Sequence, residues 1–90
     1  MPMGWKQFHR LVDETVARLR SAEGDRETIE SAIRRYIDRG DKLGMSPLDL
    51  WDYFAISSPG IPQRAGLCGA ECEQMVAIFE RMTKEKFGGD

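Results

Sequence analysis

The sequence is poor in the residues on which metal sites, redox sites and disulfide frameworks depend. It has two cysteines and one histidine among 90 residues. A closed structural zinc site takes four ligands, and disulfide-stapled secreted domains are much richer in cysteine. The spacing of Cys68 and Cys72 also differs from the C-x-x-C pattern of thiol oxidoreductases. We therefore expect no metal and no cofactor, and two buried or inert thiols, with a disulfide or a reactive thiol pair as the alternative.

Long apolar runs and glycine-rich phosphate loops are also missing. No stretch approaches the roughly 20 apolar residues that cross a bilayer. Neither G-x-x-x-x-G-K-[ST] nor G-x-G-x-x-G occurs in the chain. The first residues do not show the basic and then apolar pattern of a secretory signal. We expect a cytoplasmic protein that neither spans a membrane nor binds a nucleotide.

The composition is that of one small globular domain covering residues 1–90. Thirteen Lys and Arg face fifteen Asp and Glu, for a net charge of -2, and 41% of the residues are hydrophobic. A chain of this length has little volume from which to form a deep catalytic cleft. His9 and Asp13 could form a general-base pair, but their four-residue spacing is equally that of an ordinary surface pair on a helix. We therefore expect that the protein is not an enzyme.

Four segments show the three- and four-residue spacing of apolar residues that indicates helices. They cover about residues 4–22, 26–40, 47–57 and 70–86. Asp25 and Ser46 are predicted N-caps, Pro47 occupies a first helical position, and Gly24 and Gly40 are predicted stops. No segment shows the alternation of a strand. The predicted fold is all-α, a small bundle of about four helices: a hairpin of the first two, a shorter crossing third and a C-terminal fourth.

The segment between the third and the last helix is the least regular part of the sequence. Pro59 and Pro62 predict a non-helical break at residues 57–62. Residues 63–69 fit either a short helical turn or a loop held by Leu67.

The third helix carries more apolar surface than one buried face needs. Leu48, Trp51 and Ala55 form one stripe, and Leu50 with Phe54 forms another. One stripe is enough to close a four-helix core, so the second predicts a surface for a partner protein, although a small domain could bury both. The predicted contact residues are Leu50, Trp51, Tyr53, Phe54, Ile61 and Arg64.

These features predict a non-catalytic protein–protein interaction module, such as a small adaptor, accessory or inhibitor protein. Self-association through the same surface is one form of this hypothesis. The alternative is a nucleic-acid-associated regulator with a helix-turn-helix-like pair formed by the second and third helices. Its predicted contacts are the basic residues Arg34, Arg35, Arg39 and Lys42. Nucleic acid is the weaker alternative, because Asp49 and Asp52 lie on the third helix and no Lys or Arg lies between Gly44 and Gln63.

Overall fold

Two long helices joined by a tight turn form the first half of the protein. In the computed structural model, which describes residues 4–57, 59–67 and 69–88, α1 spans Trp5–Ala22 and α2 spans Arg26–Lys42. The carboxylate of Asp25 caps α2 by accepting from the backbone N–H of Thr28 at 3.1 Å. Thr28 Oγ1–H donates to the same carboxylate oxygen, and these bonds lower the pKa of Asp25. The turn pairs α1 with α2 as a helical hairpin.

The second half consists of three further helical elements and one wide helical turn. A short α3 spans Pro47–Trp51 and continues directly into a π-helix at Asp52–Ile56. One turn of helix, α4, follows at Ile61–Arg64, and α5 spans Ala70–Phe87. A capping box starts α3: Ser46 Oγ accepts from Asp49 N–H at 3.1 Å, and the Asp49 carboxylate accepts from Ser46 N–H at 3.3 Å.

Helix α5 runs parallel to α2, and ion pairs join the two. Glu30 of α2 is 3.6 Å from Arg81 of α5, and Asp38 of α2 is 3.2 Å from Lys86 of α5. Residue numbers therefore rise in the same direction along the two helices. Lys86 is also 3.7 Å from the carboxylate of Asp41. These side chains are substantially exposed, so the pairs add orientation more than stability.

Aromatic side chains from four elements meet at the centre of the core. Phe8, Tyr36, Phe54 and Phe79 come from α1, α2, the π-helix and α5, and all four are buried. The rings of Phe54 and Phe79 are stacked with centroids 4.6 Å apart, and Tyr36 lies about 6 Å from each of the other three. Burial raises the pKa of Tyr36, so its phenol stays protonated and acts as a hydrogen-bond donor.

The predicted all-α bundle is confirmed: the described residues form helices and turns, with no strand among them. Two local predictions were wrong. Helix α2 continues through Gly40 to Lys42. The segment predicted to be a non-helical break contains the start of α4, because Pro62 occupies its first turn, where a backbone N–H has no intrahelical acceptor to lose.

Gly40 lies inside α2 because α3 approaches the helix there. The Cβ of any other residue at this position would collide with Leu50 Cδ2 and lie 3.4 Å from Leu50 Cγ. Leu50 is completely buried, so the side chain that a Cβ would have to displace lies within the core. Gly40 therefore forms the notch in α2 that receives α3.

We expect Gly40→Ala to lower the free energy of unfolding by about 1–2 kcal/mol. Overpacking a core costs about 1–3 kcal/mol, which exceeds the roughly 1 kcal/mol by which alanine favours a helix over glycine. Urea unfolding followed by circular dichroism measures the change. Ser31→Ala on the exposed side of α2 is the control and should change stability little. Equal or greater stability of Gly40→Ala would contradict the notch.

Candidate functional site

The segment from α3 through the π-helix has an inner and an outer side set by its winding. Ser57 N–H donates to the carbonyl of Asp52 at 2.8 Å, the five-residue bond of a π-turn. Residues four apart along this segment share similar environments: Leu50 and Phe54 are buried, Trp51 and Ala55 are half-buried, and Asp52 and Ile56 are exposed.

The inner side holds two of the residues that we predicted to contact a partner. Leu50 and Phe54 are 0% exposed. Tyr36 Oη–H donates to the carbonyl of Leu50 at 2.7 Å, and Phe54 stacks on Phe79. The prediction of Leu50 and Phe54 as surface contacts was therefore wrong, because the notch at Gly40 and the aromatic centre enclose them.

Ile61 was also predicted as a contact, and this prediction was wrong for a similar reason. It begins α4 and is 0% exposed. Helix α4 packs against α1 and the π-helix, so its first side chain points into the core. The apolar surface of this region is smaller than the sequence suggested.

The outer side carries the two large apolar side chains that are exposed in the described part of the chain. Leu48 is 73% exposed and Ile56 is 61% exposed. They lie four residues before and after the exposed Asp52, with Trp51 and Ala55 half-buried beside them. We call these five residues, Leu48, Trp51, Asp52, Ala55 and Ile56, the outer face. The sequence pattern correctly indicated two apolar stripes on this segment. The stripe that contains Leu48 lies on the exposed side, whereas the stripe of Leu50 and Phe54, which was predicted to be the surface, is buried.

Trp51 and Tyr53, both predicted contacts, lie on different sides of the segment. The ring of Trp51 is 5.7 Å from that of Phe79 in α5, and its half-buried side chain borders the outer face. Tyr53 turns towards α1, where its ring lies 5.0 Å from Phe8 and 6.1 Å from Trp5. Trp51 can thus contribute to a partner surface together with Leu48 and Ile56, whereas Tyr53 belongs to a neighbouring aromatic group.

Arg64 is exposed but already engaged within the chain. Its guanidinium donates to the Asp13 carboxylate at 2.9 Å, and its carbonyl accepts from Arg20 at 2.7 Å. These bonds hold α4 against α1. The structure does not bring Arg64 onto the outer face, and a role in binding stays a prediction.

The outer face is electrostatically negative. Asp52 is exposed, and its carboxylate makes no hydrogen bond or ion pair with any described residue. The Asp49 carboxylate is used in the cap of α3, and residues 45–62 contain no Lys or Arg. A partner on this face therefore meets apolar side chains around one unpaired carboxylate.

The basic residues of the alternative hypothesis form a separate surface on α2. Arg34, Arg35, Arg39 and Lys42 line one shallow groove of about 330 Å³ together with Ser31 and Asp38. Arg35 lies 3.8 Å from Glu14, and its buried Nε has no hydrogen-bond acceptor among the described residues. Asp38 and Asp41 both approach Lys86. Lys86 of α5 therefore offsets part of the negative charge that these two acids place beside the basic residues.

The structure does not bring His9 and Asp13 together as a general base and the carboxylate that would orient it. The His9 ring is exposed and lies among Trp5, Phe8 and Tyr53, with centroids about 6 Å away. Asp13 pairs with Arg64. This arrangement explains both residues as parts of the α1 surface.

The two cysteines flank the start of α5 in the sequence. Cys68 lies outside the described residues, and the half-buried Cys72 Sγ is 3.2 Å from the carbonyl of Leu67. Among residues 4–57, 59–67 and 69–88, no group of three His, Cys, Asp or Glu could hold a metal ion. None of the helices in these ranges is both long and apolar enough to cross a bilayer.

Comparisons with protein-family models, with curated proteins and with solved structures find no match to this chain.

We expect Phe54→Asp to abolish folding and Leu48→Asp to leave it nearly unchanged. A carboxylate at position 54 would be buried without a partner, a change that costs more than about 4 kcal/mol. At position 48 it would lie in solvent, where substitutions usually change stability by about 0.5 kcal/mol or less. Urea unfolding of both variants measures the difference, and equal stabilities would contradict the two-sided description of α3.

Proposed function

We propose that the protein is a non-catalytic module that binds another protein through the outer face. The observation that carries this proposal is the joint exposure of Leu48 and Ile56 on one short helical segment. Isolated exposed apolar residues are common on soluble proteins. Two large aliphatic residues around a half-buried tryptophan are the arrangement expected of a small binding epitope, in which tryptophan is a frequent anchor.

The size of the outer face favours a reversible interaction. Burying one large aliphatic side chain completely contributes about 1.5–3 kcal/mol. Leu48 and Ile56 are already partly covered, so together they supply about 2–4 kcal/mol. Micromolar affinity requires about 8 kcal/mol, so Trp51 and polar contacts at the rim must provide the remainder. A small regulatory or adaptor protein suits an interaction of this strength.

The backbone that carries the outer face is held in place by contacts on its inner side. The capping box fixes the start of α3, and the burial of Leu50 and Phe54 holds its inner side against α2 and α5. Binding therefore loses little free energy to ordering of the backbone, and more of the free energy gained by burying apolar side chains appears as affinity.

We expect a photo-crosslinker at position 48 to capture a discrete partner in the native cell, whereas one at the exposed Ala77 of α5 does not. The captured protein is identified by mass spectrometry, purified, and titrated with the full chain by calorimetry. Leu48→Asp and Ile56→Asn should each weaken its binding at least tenfold, because both remove apolar contact without disturbing the core.

Ala77→Asp is the matched control and should leave the affinity unchanged. Binding that is insensitive to both Leu48→Asp and Ile56→Asn would contradict the outer face as the docking site. A crosslinked species of twice the monomer mass would identify the partner as a second copy.

Binding of a polyanion through the α2 groove is a second candidate function. The observation that favours it is the pairing of Asp38 and Asp41 with Lys86, which leaves Arg34, Arg39 and Lys42 without an ion-pair partner among the described residues. Phosphate groups of nucleic acid are the chemistry that such a cluster attracts. The net charge of -2 for the whole chain and the acids of α3 count against it.

We expect binding of a polyanion to the α2 groove to weaken steeply as the salt concentration rises. Three phosphate contacts predict a loss of affinity of about 40-fold between about 50 and 200 mM salt. Fluorescence anisotropy with a labelled DNA duplex measures it, and the double variant Arg39→Glu, Lys42→Glu should abolish binding. The double variant Lys6→Glu, Lys84→Glu makes the same change in net charge elsewhere. No binding at low salt, or equal effects of both variants, would eliminate the α2 groove.

A further inference from the structure

We infer that the partner of the outer face is a basic amphipathic segment that places a Lys or Arg side chain between two apolar ones. This inference rests on the proposed function and adds the chemistry of its partner. It follows from the position of the Asp52 carboxylate on the outer face. That negative charge favours a basic partner and disfavours a second copy of the chain, a membrane surface or nucleic acid.

Asp52 lies at the centre of the outer face. It lies midway along the segment between Leu48 and Ile56, four residues from each, and it is exposed. No described residue pairs with it. A partner that covers both aliphatic side chains must also cover this carboxylate, and removing it from water without a cation is unfavourable. A cationic side chain at the centre of the partner epitope satisfies that requirement.

The charge around Asp52 is also negative. Residues 45–62 contain no Lys or Arg, so nothing within the α3–α4 region of the sequence supplies the missing cation. Asp49 lies at the start of the same helix and adds negative charge near the rim, although one of its oxygens serves the capping box. The field over the outer face therefore attracts a basic segment and accelerates its approach.

The same geometry disfavours a second copy of the chain. A two-fold symmetric interface repeats each contact: if residue i of one copy touches residue j of the other, then residue j of the first copy touches residue i of the second. Setting Leu48 of one copy on Ile56 of the other places the symmetry axis at residue 52. Two Asp52 carboxylates then meet at the centre of the interface, and like charges in this position oppose association. A phosphate-rich membrane surface or nucleic acid meets the same repulsion.

The test is a selection of displayed helical peptides of random sequence against the full chain. We expect the recovered peptides to carry Lys or Arg flanked by apolar residues at helical spacing. Leu48→Asp and Ile56→Asn should each weaken their binding at least tenfold in calorimetry, and so should Asp52→Lys. Replacing the central Lys or Arg of a peptide with Glu should restore its binding to Asp52→Lys, because the charges are then exchanged.

The matched control is Glu27→Lys, which makes the same charge change about 20 Å along α2 from Gly40 and should not affect binding. Peptides that require Leu48 and Ile56 but tolerate Asp52→Lys would overturn the basic partner and leave the docking site intact. Peptides that bind without requiring Leu48 or Ile56 would overturn the proposed function itself. A dimer of the wild-type chain in sedimentation that Leu48→Asp dissociates would overturn the basic partner in favour of self-association.

Discussion

The seating of Leu50 in the notch at Gly40 is the contact on which the arrangement of the second half of the protein depends. The missing Cβ of Gly40 lets α3 approach α2, and the Tyr36 phenol bonds to the Leu50 carbonyl beside it. Four residues later, Phe54 is placed on Phe79, which joins the π-helix to α5. Because these contacts occupy one side of the segment, Leu48 and Ile56 can only lie on the other.

Most of the helical framework could be predicted from local signals. The caps at Asp25 and Ser46 predicted the starts of α2 and α3, and apolar spacing placed α1 and α5 within a residue or so of their observed bounds. Predictions failed where one residue type has two structural uses. Gly40 reads as a helix stop but serves as a contact point, and Pro62 reads as a helix breaker but fits the first turn of α4.

The candidate site could be predicted only in part. The excess of apolar side chains on α3 was visible in the sequence, whereas the choice between its two stripes depended on tertiary contacts. Leu50 and Leu48 are chemically identical, and only the notch on α2 and the hydroxyl of Tyr36 distinguish their positions. Gly40, near the C-terminal end of α2, was the one local signal of a close approach, and it fits a helix stop equally well. Asp52 is an ordinary surface acid in the sequence, and only its position between the exposed Leu48 and Ile56 makes it a candidate contact for a partner.

The wide turn at Asp52–Ile56 also affects how this surface can change in evolution. A π-turn is the way in which a helix absorbs one inserted residue without breaking. Deleting one residue at this turn would therefore let the segment rewind as ordinary α-helix, and the residues before and after it would keep nearly the same facing. Leu48 and Ile56 would still share one side, and the core residues that follow in α4 and α5 would keep their places. The length of the chain can thus change by one residue at this turn while the epitope is kept.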